Sequence, residues 1–336
     1  MNGRERILAC IAGQPLDSLP LMPITMMFAG DTAGIPYGEY ARDHRKMVEA
    51  QIRTAETYDF DYVSTISDPA REASDLGATI EWFDDQPPAI NESLALLGDK
   101  AAFGSLRVPD PMAGPRMSDR VRGVALLKQR VGRDKLVEGW VEGPCAMAAD
   151  LRGINNLMFD FSDDPEFVRM LFEFVVEMEI GFAKAQVEAG ADLIGVGDAA
   201  ASLVGPKIYR ELVLPFEQKL VAALKGAGAK VRLHICGNTR RILDGMGKAG
   251  ADIVDLDYPS PLNEARARMG PAQVLLGNIH PVKVLKDGTP EMVETAIAEC
   301  HQQSGGNYIV GAGCEVPRGT PPENLLTLVR YAKSHC

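Results

Sequence analysis

The 336 residues are 46% hydrophobic and 24% charged, a balance that excludes disordered and fibrous classes. A net charge of −11, with no basic run longer than Arg240-Arg241, disfavours nucleic acid as a partner, and no apolar run approaches the roughly 18 residues needed to cross a bilayer. The opening MNGRERILACIAGQPLD fits no signal peptide and the six scattered cysteines suggest no disulfide framework, so a reducing cytoplasm is the expected setting.

Along the chain, short apolar runs that end in Gly, Asp, Asn or Cys alternate with helical patterns, the signature of repeated βα units. Eight such runs are predicted as strands: Leu19 to Thr25, Asp61 to Ser67, Leu136 to Glu142, Asp192 to Asp198, Val231 to Cys236, Asp252 to Asp257, Val274 to Ile279 and Tyr308 to Gly313. Two of them are introduced by Ala-Gly-Ala-Asp, where a helix stops at Gly and a strand begins. Pro206 to Leu224 and Glu291 to Gln302 carry apolar residues at spacings of three and four, as outer helices would. Pro69 to Arg130 is too long for a simple connection, with alternation at Ala78 to Phe83 and a turn at Asp84 to Pro88. The expected fold is a single-domain α/β TIM (β/α)8 barrel over residues 1–336, with an insertion at about 69–130 between strands 2 and 3.

Catalytic groups of such barrels lie at the carboxyl ends of the strands. The residues there are Asp68, Glu142, Asp198, His234 with Cys236, Asp257, Asn278 with His280, and Cys314. His234 and Cys236 are two apart on a strand and point the same way, so imidazole and thiol converge. Cys314, set among glycines, completes a donor set of two thiolates and one imidazole that suits zinc and leaves a position open. Each cysteine taken alone is equally readable as a small buried hydrophobe, and Cys145 is read that way.

Glu142 is the candidate fourth ligand or gate, alternatively a rim carboxylate bonded to backbone amides. Asp68 and Asp198 are candidates to orient substrate or a cofactor amide, although strand-end Asp is also a common helix N-cap. Asn278 and His280 are expected to face a cofactor at the mouth, with a structural role for His280 as the alternative. His44, His301 and His335 look peripheral.

The phrases Leu233-His234-Ile235-Cys236-Gly237-Asn238-Thr239, Gly277-Asn278-Ile279, Gly313-Cys314-Glu315-Val316-Pro317 and Thr320-Pro321-Pro322-Glu323-Asn324-Leu325 resemble the uroporphyrinogen decarboxylase superfamily. The resemblance covers nearly the whole chain and is greatest to the zinc-dependent, corrinoid-linked methyltransferases, including methylcobalamin:coenzyme M methyltransferases and O-demethylase components. It implies zinc on His234, Cys236 and Cys314, and it places Asp68 and Glu142 near the active site. It also implies a substrate that is a small methylated compound or a thiol, and a monomer or homodimer. The decarboxylases of the superfamily use no metal and bind their polycarboxylate through arginines in the loop after the first strand. Met26 to Gly34 contains no arginine here, which disfavours that activity.

A corrinoid (cobalamin) is expected on a separate partner protein, because the chain has no Asp-x-His-x-x-Gly phrase. Met22, Met26, Met27 and Phe28 would give an apolar pocket wall, favouring a small organic or aromatic methyl donor over a polar thiol. The alternatives are a metal-free lyase related to the decarboxylases and a barrel whose zinc is purely structural.

Overall fold

The computed structural model describes all residues, 1–336. Its nine strands in chain order are β1 (Tyr62–Ser64), β2 (Ile80–Glu81), β3 (Ala89–Ile90), β4 (Leu136–Glu142), β5 (Leu193–Gly197), β6 (Lys230–Ile235), β7 (Ile253–Leu256), β8 (Val274–Gly277) and β9 (Tyr308–Ile309). Seven form one parallel sheet in the order β1-β4-β5-β6-β7-β8-β9, wrapped as a half-barrel, and β2 and β3 make a separate antiparallel hairpin. Seven of the eight expected strands are therefore ladder strands, and helices lie between them.

The expected strand at Leu19 to Thr25 differs. Pro20 and Pro23 lack an N–H and cannot donate to a ladder, so the segment makes only one isolated parallel bridge, Leu21 to Val310. Met22 N donates to Val310 O at 2.9 Å on one side, and Asp61 N donates to Leu21 O at 3.2 Å on the other.

The 69–130 region begins with a short helix, Ala70–Asp75, followed by the hairpin, whose turn spans the expected Asp84 to Pro88. It ends in a 17-residue helix, Pro115–Val131, that packs on β4. That last helix is part of the cover of the sheet, so the irregular stretch is shorter than the sequence pattern implied. Around Pro206 to Leu224 the helix is nearly continuous but passes through a π-turn, Tyr209–Val213, just before Pro215, whose missing N–H breaks the α register. The Glu291 to Gln302 pattern falls inside helix Pro290–Ser304. No helix is long and apolar enough to cross a membrane.

Strand alternation sorts the core. Val137, Val141, Leu233, Ile235, Val254 and Leu275 face the helices in one large apolar cluster. The opposite face is layered. At its amino-terminal end Leu136, Leu193, Ile253 and Val274 pack with Ile7 and Cys10 from the helix Gly3–Ile11. Above them is a charged layer, in which Arg232 reaches Glu138 at 3.2 Å and Asp255 at 2.6 Å, each side chain at most 1% exposed. At the carboxyl end Ile24, Ile66 and Trp140 form a small apolar floor.

Candidate metal centre and its cavity

His234 continues the inward parity of Arg232 on β6 and meets Asp255 in register on β7. Its Nδ1 lies 3.0 Å from Asp255 Oδ2, an ion-pair distance but off the axis of a straight hydrogen bond, and Nδ1 has no other partner. This turns Nε2 toward Cys236, whose Sγ is 3.0 Å away, and the sulfur of Cys314 lies 3.7 Å from that of Cys236. All three ligand atoms fall within 4.8 Å of one another.

Standard zinc–sulfur and zinc–nitrogen lengths at a tetrahedral ion put two ligating sulfurs about 3.8 Å apart and a sulfur and nitrogen about 3.6 Å apart. The sulfur pair already matches, and the imidazole needs only to ease back from Cys236. The donor set therefore fits zinc. Asp255 on Nδ1 is the outer partner expected of a metal-binding histidine.

Electrostatics divide the protons of the cluster unequally among its three members. The hydrogen bond from Cys236 pulls the Cys314 thiol down to about 4, against burial and with help from His234. Cys236 is raised, first by donating to Cys314 and then by burial. Burial disfavours the charged His234 ring, but Cys236 and Asp255 outweigh it and raise its pKa. One proton shared among facing thiols is what a cation replaces.

The loops are tied from behind. Gly237, at φ +85°, donates its N–H to Asp257 Oδ2 at 2.6 Å and turns the chain sharply after Cys236. Glu315, next to Cys314, accepts from Met27 N at 2.7 Å.

The triad opens on a cavity of about 220 Å³ whose walls include Ile24, Ile66, Trp140, Arg71, Glu142 and Glu315. This is below the roughly 300–1,000 Å³ of pockets for drug-sized ligands, so its occupant is small. A larger cleft at the amino-terminal end, around Arg6, Asp17 and Lys333, lies among salt-bridged residues far from this chemistry.

Of the other residues predicted for the site, Glu142 and Asp68 reach the cavity and three do not. Glu142 accepts from Arg71 Nη2 at 2.9 Å, and burial pushes it up to about 8 despite that guanidinium. It is not within the close triad. Asp68 is held by Arg116 at 2.6 Å and by Ser67, and although burial opposes its charge, Arg116 and Arg71 leave it below the usual range.

Asp198 is fully buried and turned away, accepting from Ala146 N at 2.6 Å and facing Glu217. Asn278 donates to Asp257 O at 3.1 Å and Ser260 O at 2.6 Å, pinning that loop and not facing the cavity. His280 accepts from Lys283 N at 3.3 Å and stacks on Tyr258, with ring centroids 3.9 Å apart, outside the cavity lining. Cys145 is buried among packing residues, as its reading as a hydrophobe expected.

The sequence reading missed Asp255, Arg71 and Arg116. Asp255 was discoverable: it precedes Asp257 by two on a strand, and like parity puts it on the inner face. Arg71 and Arg116 carry no local signal, because their partners lie 71 and 48 residues away.

The model of the family described as uroporphyrinogen decarboxylase matches residues 2–335. A methylcobamide:CoM methyltransferase of Methanosarcina mazei is 30% identical, covering 99% of this chain and 98% of that protein. A uroporphyrinogen decarboxylase of Streptomyces avermitilis is 27% identical over 89% of this chain and 83% of its own length. Among solved structures, one described as a methyltransferase from Methanosarcina mazei superposes with a TM-score of 0.87 at 22% identity, covering 99% of both chains.

Proposed function

Because this chain belongs to the uroporphyrinogen decarboxylase family, we propose that it is a zinc-dependent methyltransferase. It moves a methyl group between a small methylated substrate or thiol and a corrinoid carried by a partner protein. The observation that carries this reading is the convergence of His234, Cys236 and Cys314 on a small cavity. Relatives of almost equal length named as methylcobamide:CoM methyltransferases support the same branch. The decarboxylase alternative finds no support in the cavity: helix Met27–Ala33 has no basic residue, and the single guanidinium on the wall, Arg71, is already paired with two carboxylates.

Bound by these three side chains, zinc supplies a Lewis acid that makes a thiol a better nucleophile or a methylated heteroatom a better leaving group. The protein's own residues do the rest. Asp255 fixes the ring of His234, Asp257 fixes the turn after Cys236, and the floor of Ile24, Ile66 and Trp140 keeps water from the reacting atoms. Glu142 is the carboxyl suited to take the proton of an incoming thiol, or to return one to a leaving group, since burial brings it near neutrality. Asp68, locked by Arg116, orients the wall beside it.

We read Leu19 to Thr25 as the eighth stave of a closed TIM barrel, supported by its hydrogen bonds to Val310 and Asp61, with the hairpin region as an insertion near the mouth. The function is tested by incubating metal-loaded protein with methylcobalamin and small thiols. Zinc-dependent loss of the methylcobalamin spectrum with formation of the thioether is expected. No turnover with any thiol, and no methylation of reduced cobalamin by methyl ethers or thioethers, would contradict the assignment.

A further inference from the structure

The carboxylates around the cavity outnumber the cations that face them. Arg71, the one basic side chain on its wall other than His234, gives Nη2 to Glu72 at 3.2 Å and to Glu142 at 2.9 Å. Its Nε and Nη1 are sealed from solvent and have no partner, so a molecule in the cavity does not reach them. Asp68 is matched by Arg116, whose Nη2 touches both of its oxygens at 2.7 and 2.6 Å. Glu315 accepts the backbone N–H of Met27.

The space beside this cavity is of the same kind. A second hollow of about 450 Å³ shares Pro69, Glu142 and Ala199 with it, and its lining adds Glu92 and Asp150 but no Lys, Arg or His. A substrate tail running past Glu142 therefore meets apolar groups, carboxylates and the Ser202 side chain, and no basic group. The remaining wall at the metal ligands is Ile24, Met26, Ile66, Pro87 and Trp140.

An anionic substituent placed here loses its hydration and finds no free counter-charge, a cost that a group without negative charge avoids. We infer that the substrate of this site carries no anionic group: it is a small thiol, thioether or methyl ether with an apolar body, and not a sulfonate- or carboxylate-bearing thiol. The inference rests on the methyl-transfer reading of the metal centre. It assigns this chain a substrate class different from the CoM named for its relatives, which is a thiol carrying a sulfonate.

The test uses cobalt(II)-substituted protein and two small thiols, propanethiol and 2-mercaptoethanesulfonate, with binding read from the cobalt absorption bands. Propanethiol is expected to bind about tenfold or more tightly than the sulfonate. The variant Asp68→Asn, which strips Arg116 of its partner, is expected to raise the affinity for the sulfonate. The sulfonate thiol binding as tightly as propanethiol would overturn the inference and leave the metal-centre reading standing, as would an Asp68→Asn variant with unchanged sulfonate affinity. Cobalt bands that are present but unmoved by both thiols would overturn the metal-centre reading, and this inference with it.

Discussion

His234 Nδ1 sits 3.0 Å from Asp255 Oδ2, and the same oxygen is bound by Arg232 at 2.6 Å, so one carboxylate joins the triad of His234, Cys236 and Cys314 to the charged layer beneath it. Asp255→Asn keeps the shape but weakens the hold on the imidazole. Zinc affinity is expected to fall about 10- to 100-fold, measured by competition with a chromogenic chelator. Affinity within twofold of the parent would mean that Asp255 does not orient the ligand.

The charged layer itself is a stability element. Arg232 is fully buried between Glu138 and Asp255, and Arg232→Met would leave Glu138 without a cation and Asp255 with His234 alone. Urea unfolding is expected to show a loss of about 3–5 kcal/mol. A loss below about 1 kcal/mol, as for an exposed pair, would refute the view that this layer is dry.

Glu142→Gln separates proton handling from metal binding. The variant is expected to retain zinc while the rate of methyl transfer to a thiol falls about 10²- to 10⁴-fold. Loss of zinc in step with activity would instead make Glu142 a ligand.

Asp198 and Glu217 form a second buried acid cluster, with Tyr209 bonded to Glu217 at 2.5 Å and the Cys145 thiol nearby. Burial pushes Glu217 up to about 7 from an ordinary value of 4.5, and Asp198 is raised by burial and by Glu217. A carboxyl with a raised folded-state pKa binds more protons folded than unfolded. Its contribution is therefore fully present below about pH 4.5 and is lost as pH rises through about 7. Between these limits the cluster is expected to cost on the order of 1–3 kcal/mol. Glu217→Gln should flatten that part of the stability profile in urea titrations from pH 4.5 to 8, and an unchanged slope would contradict it.

What was legible in the sequence follows from what is local. Strand ends are written in short runs, so His234, Cys236 and Cys314 could be brought to one rim, and residue parity aimed the first two together. The prolines at 20 and 23, equally local, should have demoted the first strand from a ladder strand. Asp198 shares its position in the pattern with Glu142, yet it turns away from the cavity, toward Glu217 on the helix Leu214–Gly226 and Ala146 N at the start of the helix Pro144–Arg152. Asn278 and His280 are likewise taken by loop carbonyls and a helix start. Such choices depend on partners distant in sequence, which pattern alone does not reveal.

Metal content, measured by elemental analysis of protein purified without added zinc and compared with Cys236→Ser and Cys314→Ser, tests the central claim most directly. About one zinc per chain in the parent, lost in both variants while the circular dichroism of the fold is retained, is the predicted result. A parent without zinc that also fails to take it up when offered would contradict the metal centre and the methyl-transfer mechanism built on it.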